Sequence, residues 1–129
     1  MNVVDSSGWV EFFLAGANGP TFKPVIEDRA ALLVPTIALF EVHRVLSRKV
    51  PPGAVQACLN VMRLGRVLDV TDVRAVAAAH VAQRHRLAMG DAMMYSLSLE
   101  YKATLWTQDV DYQGLPAVNY FAKPCTVSG

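Results

Sequence analysis

The chain has 129 residues, 53% hydrophobic and 18% charged, which fits one packed core and excludes a disordered chain. Twelve basic and 11 acidic residues leave a net charge of +1, so any nucleic-acid contact would have to come from a local patch. No apolar run reaches the roughly 18 residues of a membrane span. Residues 1–13 carry Asp5 and no basic residue, unlike a signal peptide, so a cytoplasmic protein is expected.

Asn2-Val3-Val4 predicts a short first strand that ends in the polar turn Asp5-Ser6-Ser7-Gly8. Ser6 or Ser7 can cap the short apolar helix that follows, Trp9 to Leu14. After a loop from Gly16 to Pro20, a second short helix is expected from Lys23 to Ala31, with Pro24 near its first turn, where a missing N–H matters little. Leu32-Leu33-Val34-Pro35 predicts the second strand, and Thr36 the N-cap of a helix from Ile37 to Arg48. Helical spacing puts Ile37, Phe40, Glu41, Arg44, Val45 and Arg48 on one face of it.

Pro51-Pro52-Gly53 breaks the chain before a fourth helix, Ala54 to Leu64, stopped by Gly65. A third strand is expected from Arg66 to Val70. Thr71-Asp72 then caps an alanine-rich helix that runs through Arg86, with positive charge at the negative pole of its dipole. The sixth helix, Gly90 to Tyr101, turns at Tyr101-Lys102-Ala103 into strand Thr104 to Thr107. An acidic loop, Gly114 and a last strand from Val118 to Phe121 complete the pattern. Strands alternating with helices predict an α/β fold, a three-layer α/β/α domain whose mainly parallel central sheet has about five strands. The domain is expected over residues 1–124, with 125–129 as a tail. Cys58 and Cys125 fit no zinc spacing and are expected to be free thiols.

Open parallel sheets bind ligands beyond the carboxyl ends of their strands. Five of the 11 acids fall there. Asp5 follows the first strand, Glu41 lies on the helix after the second, Asp91 heads the last helix, and Asp109 and Asp111 follow the fourth strand. Singly, each has an ordinary reading: a cap for Asp5 or Asp91, a solvated helix position for Glu41, turn residues for Asp109 and Asp111. Jointly, five carboxylates at one edge would repel one another unless a cation neutralised them. Oxygen donors suit Mg²⁺ or Mn²⁺, which can activate a water and stabilise charge on phosphorus and on a leaving oxygen. There is no P-loop and no GxGxxG, which argues against a nucleotide cofactor.

Four stretches carry a resemblance: Val4-Asp5-Ser6-Ser7-Gly8-Trp9, Val34-Pro35-Thr36 through Glu41-Val42, Leu87-Ala88-Met89-Gly90-Asp91-Ala92, and Leu105-Trp106-Thr107-Gln108-Asp109-Val110-Asp111-Tyr112. In this order, across residues 2–121, the chain resembles the PIN-domain ribonucleases, and most closely the VapC toxins of type II toxin–antitoxin systems. The resemblance implies a metal site of Asp5, Glu41, Asp91 and Asp109, with Asp111 a more variable member. It implies hydrogen-bonding support from Thr107 and from Ser6 or Ser7. It further implies Mg²⁺- or Mn²⁺-dependent hydrolysis of RNA, a homodimer, a VapB-like antitoxin, and operator DNA reached only through that antitoxin. An alternative of another class is an antitoxin-binding subunit of a DNA-bound autoregulatory complex, with little nuclease activity of its own. A phospho-accepting receiver domain is disfavoured, because Thr107-Gln108-Asp109 fills the place of its lysine.

Two positions depart from the resembling toxins. Lys102 stands where glycine is frequent, and because a left-handed backbone would cost it about 1 kcal/mol, a different local turn is expected there. Gly90 stands where alanine is common, which loosens the helix start. His43, His80 and His85 lack metal spacing. Arg44 could meet a site carboxylate or an RNA phosphate, and Tyr95, one turn after Asp91, could line the cleft. Trp9, Phe12 and Phe13 suit the core or a partner surface, and the five methionines suit the core.

Overall fold

Val3 and Val4 point to opposite faces of their strand, yet both are fully buried. All four residues of the second strand are buried too. Such strands need cover on both faces, and six helices provide it. The computed structural model describes residues 1–124; the expected tail, with Cys125, lies outside the described residues.

The five strands are β1 (Asn2–Val4), β2 (Leu32–Pro35), β3 (Arg66–Leu68), β4 (Thr104–Thr107) and β5 (Val118–Tyr120). They lie in the order β3-β2-β1-β4-β5, and every neighbouring pair is parallel. The helices are α1 (Ser6–Phe13), α2 (Gly19–Glu27), α3 (Thr36–Leu46), α4 (Pro52–Met62), α5 (Asp72–His85) and α6 (Met89–Glu100). The expected α/β class, three layers and parallel sheet are therefore the observed ones. From β1 the chain steps outward through β2 to β3, then returns to the other side of β1 with β4 and β5. The topological switch thus falls between β1 and β4, and in open parallel sheets ligands bind beyond the carboxyl ends of the strands at such a point. The core around the sheet is filled by Trp9, Phe22, Leu33, Met62, Met94, Tyr95 and Leu105.

Several boundaries differ from expectation for local reasons. Of the candidate caps of α1, Asp5 takes the role rather than Ser6 or Ser7, accepting the Gly8 N–H at 3.1 Å. Helix α2 begins at Gly19, because Pro20 suits its first turn; Pro24 falls inside the helix. Pro35 occupies the N-cap position of α3, with Thr36 as the first helical residue. Pro52 starts α4, while Thr71 caps α5 as expected, accepting the Arg74 N–H.

The turn after α6 corrects an expectation. Lys102 does take a left-handed backbone, with φ of 51°. The Ala103 N–H donates to the Ser98 carbonyl at 2.9 Å and the Lys102 N–H to the Leu99 carbonyl at 3.1 Å, a Schellman closure. The Ser98 hydroxyl also donates to the Ala103 carbonyl. These bonds, and the burial of Ala103 at the entry to β4, hold lysine in a conformation its side chain disfavours. Among the described residues, no helix is long and apolar enough to cross a membrane.

Candidate functional site

The switch point gathers the acids. Asp5 is the first residue beyond β1, and its N–H donates to the Trp106 carbonyl of β4 at 3.1 Å. That bond ties the end of β1 to the strand that delivers Asp109. Asp109 leads into a 3₁₀ turn, Val110–Tyr112, and its Oδ1 accepts the Asp111 N–H at 2.9 Å. Asp91 lies in the first turn of α6. One carboxylate oxygen from each of Asp91, Asp109 and Asp111 lies within 4.8 Å of the others. This tight group includes Asp111, expected as the more variable member, while Asp5 and Glu41 stand beside it.

Asp5 is only 3% exposed. Its Oδ1 accepts from the Ser7 hydroxyl at 2.8 Å and from the Gly8 N–H at 3.1 Å. Burial pushes its pKa up from 3.8 to about 7, these donors pull the other way, and the nearby Asp109 charge adds to the rise. Burial likewise raises Asp91 to about 6, helped by the charges of Asp109, Glu41 and Asp111. Burial first, and the neighbouring Asp109 charge after it, thus hold both carboxyls short of easy ionisation. A cation among them would relieve this, and the all-oxygen donor set fits a hard divalent ion such as Mg²⁺ or Mn²⁺.

Glu41 arrives from the second turn of α3. Its Oε1 accepts from the Ser6 hydroxyl at 2.7 Å. Its other oxygen, Oε2, lies 2.6 Å from where a Cβ on residue 90 would stand. Gly90 therefore does more than loosen the start of α6: its bare Cα leaves the space that the Glu41 carboxylate fills. The two halves of the chain, Asp5 with Glu41 and Asp91 with Asp109, meet at the switch point. Thr107 is fully buried, and its hydroxyl oxygen accepts the Asp109 N–H at 2.9 Å, fixing the exit from β4.

Tyr112 was not singled out from the sequence. It is fully buried, and its hydroxyl donates to both the Asp91 carbonyl and Asp91 Oδ1, each at 3.2 Å. Burial and the charges of Asp5, Asp91 and Glu41 push its pKa upward, so it stays a neutral donor. The sequence signal was a tyrosine within the acidic loop, where a ring can pack while its hydroxyl reaches a polar group.

Other expectations resolve simply. Tyr95 does not line the cleft: it is fully buried and its hydroxyl donates to the Pro116 carbonyl at 2.8 Å. Arg44 forms no ion pair among the described residues; with Glu41, Val45 and Arg48 it borders a hollow of about 210 Å³. Trp9 is in the core and stacks on Phe13, while Phe12 and Phe13 line a hollow of about 380 Å³ with Ile26, Cys58 and Val61. The three histidines join no metal-holding group among the described residues, and Cys58 is a free thiol.

Comparison with known proteins agrees with this fold. No curated protein matches the sequence. A solved toxin–antitoxin complex from Klebsiella pneumoniae contains a chain that superposes with a TM-score of 0.79 at 15% identity, covering 95% of this chain and 99% of that one. The sarcin–ricin loop-cleaving VapC toxin of Mycobacterium tuberculosis gives 0.74 at 22% identity, covering 87% and 92%. A VapBC complex from Rickettsia felis, bound to a promoter DNA fragment, gives 0.73 at 12% identity, covering 93% and 98%. At such identities these likenesses establish the fold. The PIN domain profile matches residues 3–117, nearly the whole chain, and the chain belongs to the PIN-domain family.

Proposed function

We propose that this chain is the toxin of a type II toxin–antitoxin pair, a Mg²⁺- or Mn²⁺-dependent endoribonuclease acting in the cytoplasm. The observation that carries this reading is the meeting of Asp91, Asp109 and Asp111, with Asp5 and Glu41 beside them, at the switch point of a PIN-family sheet. Asp5, Glu41, Asp91 and Asp109 would hold the cation or its waters, with Asp111 as a further donor. When bound, the cation supplies an activated water and offsets charge developing on the phosphorus and the leaving oxygen. The chain's part is to hold its acids in place before substrate arrives. Ser7 and Gly8 fix Asp5, Ser6 fixes Glu41, Tyr112 fixes Asp91, and Thr107 fixes the turn that carries Asp109. Such fixed supports are what keeps metal-binding carboxylates in productive geometry.

The test is cleavage of single-stranded and structured RNA by the purified chain with Mg²⁺ or Mn²⁺. Chelation, Asp91→Asn or Asp109→Asn should each lower the rate by at least about 100-fold, as expected when a main electrostatic contributor to the transition state is lost. Cleavage that survives both chelation and substitution would end the reading.

A second reading has its own support: a subunit that holds an antitoxin on operator DNA. Solved chains of this fold come from toxin–antitoxin complexes, one of them on promoter DNA. The hollow lined by Phe12, Phe13, Ile26, Cys58 and Val61 suits the apolar side of an antitoxin segment. The same cleavage assay separates the two readings, because a holding subunit leaves RNA intact. We also expect a homodimer, checked by light scattering.

A further inference from the structure

The acid cluster has a neighbour that its chemistry does not use. Beyond Asp109, at the carboxyl ends of β4 and β5, lies a hollow of about 300 Å³ lined by Gln108, Asp109, Val110, Tyr120, Ala122 and Lys123. Three of these bring complementary chemistry. Tyr120 ends β5 half-buried and lines this hollow, and its hydroxyl makes no hydrogen bond among the described residues. Gln108 is 7% exposed. Its Oε1 is held by the Asn18 Nδ2 donor at 3.0 Å, and that donor also reaches the Ala122 carbonyl at 3.1 Å. The amide is thereby fixed in orientation, while its own N–H₂ group has no partner among the described residues. Lys123 is exposed and forms no ion pair among them.

An aromatic face, a fixed amide donor and a free ammonium are the three groups that recognise one nucleotide: stacking, base-edge contact and phosphate neutralisation. We propose that this hollow binds one unstacked nucleotide of single-stranded RNA, its base on Tyr120 and its edge toward Gln108, next to the scissile phosphate at the acids. Asp109 borders both places, so a bound strand passes directly from one to the other. The inference rests on the ribonuclease reading and names what that site selects: an accessible single-stranded base rather than a paired one.

The test is equilibrium binding of a fluorescein-labelled single-stranded RNA, with Ca²⁺ replacing Mg²⁺ to prevent turnover. Tyr120→Leu should weaken binding about 10-fold, the scale of one lost base–aromatic stack. Tyr120→Phe, which keeps the ring, should retain most of the affinity. An oligomer without bases should bind the wild type weakly and show no further loss with Tyr120→Leu. Unfolding midpoint and Mn²⁺ affinity of the leucine variant check that fold and acids are intact. Unchanged affinity in Tyr120→Leu, or an equal loss for the base-free oligomer, would overturn the subsite. RNA binding with these effects but without Mg²⁺-dependent cleavage would instead remove the ribonuclease reading and leave the subsite standing.

Discussion

Asp5→Asn offers a test that is independent of any RNA. The carboxyl is 3% exposed and its pKa is about 7 in the fold, against 3.8 for the free group. Below about pH 4 it is protonated in both folded and unfolded chains and imposes no penalty. As pH rises, the unfolded carboxyl ionises first, and the folded state increasingly pays for keeping or ionising a buried acid. The metal-free wild type therefore loses stability between about pH 4 and pH 7, and the loss is complete above that. Three pKa units correspond to about 4 kcal/mol for this one group. Asparagine cannot ionise, and its Oδ1 can still accept the Gly8 N–H that caps α1. In chelator, Asp5→Asn should match the wild type near pH 4 and exceed it by up to about 4 kcal/mol at pH 8. Urea unfolding of both proteins across this range measures the difference. Adding Mn²⁺ at pH 8 should stabilise the wild type more than the variant, because the variant keeps Asp91, Asp109 and Asp111 but lacks the buried carboxylate that the cation would offset. A stability difference that does not change with pH would refute the account of Asp5 as a buried, destabilising acid.

Three further substitutions probe the supports. Tyr112→Phe removes the hydroxyl that bonds Asp91 and should lower Mn²⁺ affinity about 10-fold in calorimetric titration; an unchanged affinity would make Tyr112 a packing residue only. Gly90→Ala should strengthen the start of α6 by up to about 1 kcal/mol, yet weaken Mn²⁺ binding by displacing the Glu41 carboxylate. A variant both more stable and equally tight for Mn²⁺ would show that Glu41 has other room. Lys102→Gly should raise stability by up to about 1 kcal/mol, because glycine takes the left-handed turn without strain; a lower unfolding midpoint would contradict the strain at that turn.

The elements were legible because their signals are local. Strand Thr104–Thr107 has the expected limits, and Thr71 caps α5 as read from its position before a helical run. Boundaries moved where proline or a competing cap decided, as at Pro20, Pro52 and Asp5. Tyr95 lies in the core and not in the cleft; helical spacing from Asp91 gives a direction but not the depth of the layer it enters. At Lys102 the closure that Ser98 and Ala103 impose overrides the intrinsic backbone preference that the sequence conveys.

The sequence by itself determined the alternation of strands and helices and the places where acids follow strand ends. Both are written in short-range periodicity, which the backbone reads residue by residue. Only the tertiary structure decided which acids meet. The order β3-β2-β1-β4-β5 sets the ends of β1 and β4 side by side, so residues about a hundred positions apart become neighbours. It also decided that Asp111 joins Asp91 and Asp109, that Gly90 makes room for Glu41, and that the Tyr112 hydroxyl reaches Asp91. Those are contacts across the sequence, fixed by packing rather than by spacing along the chain.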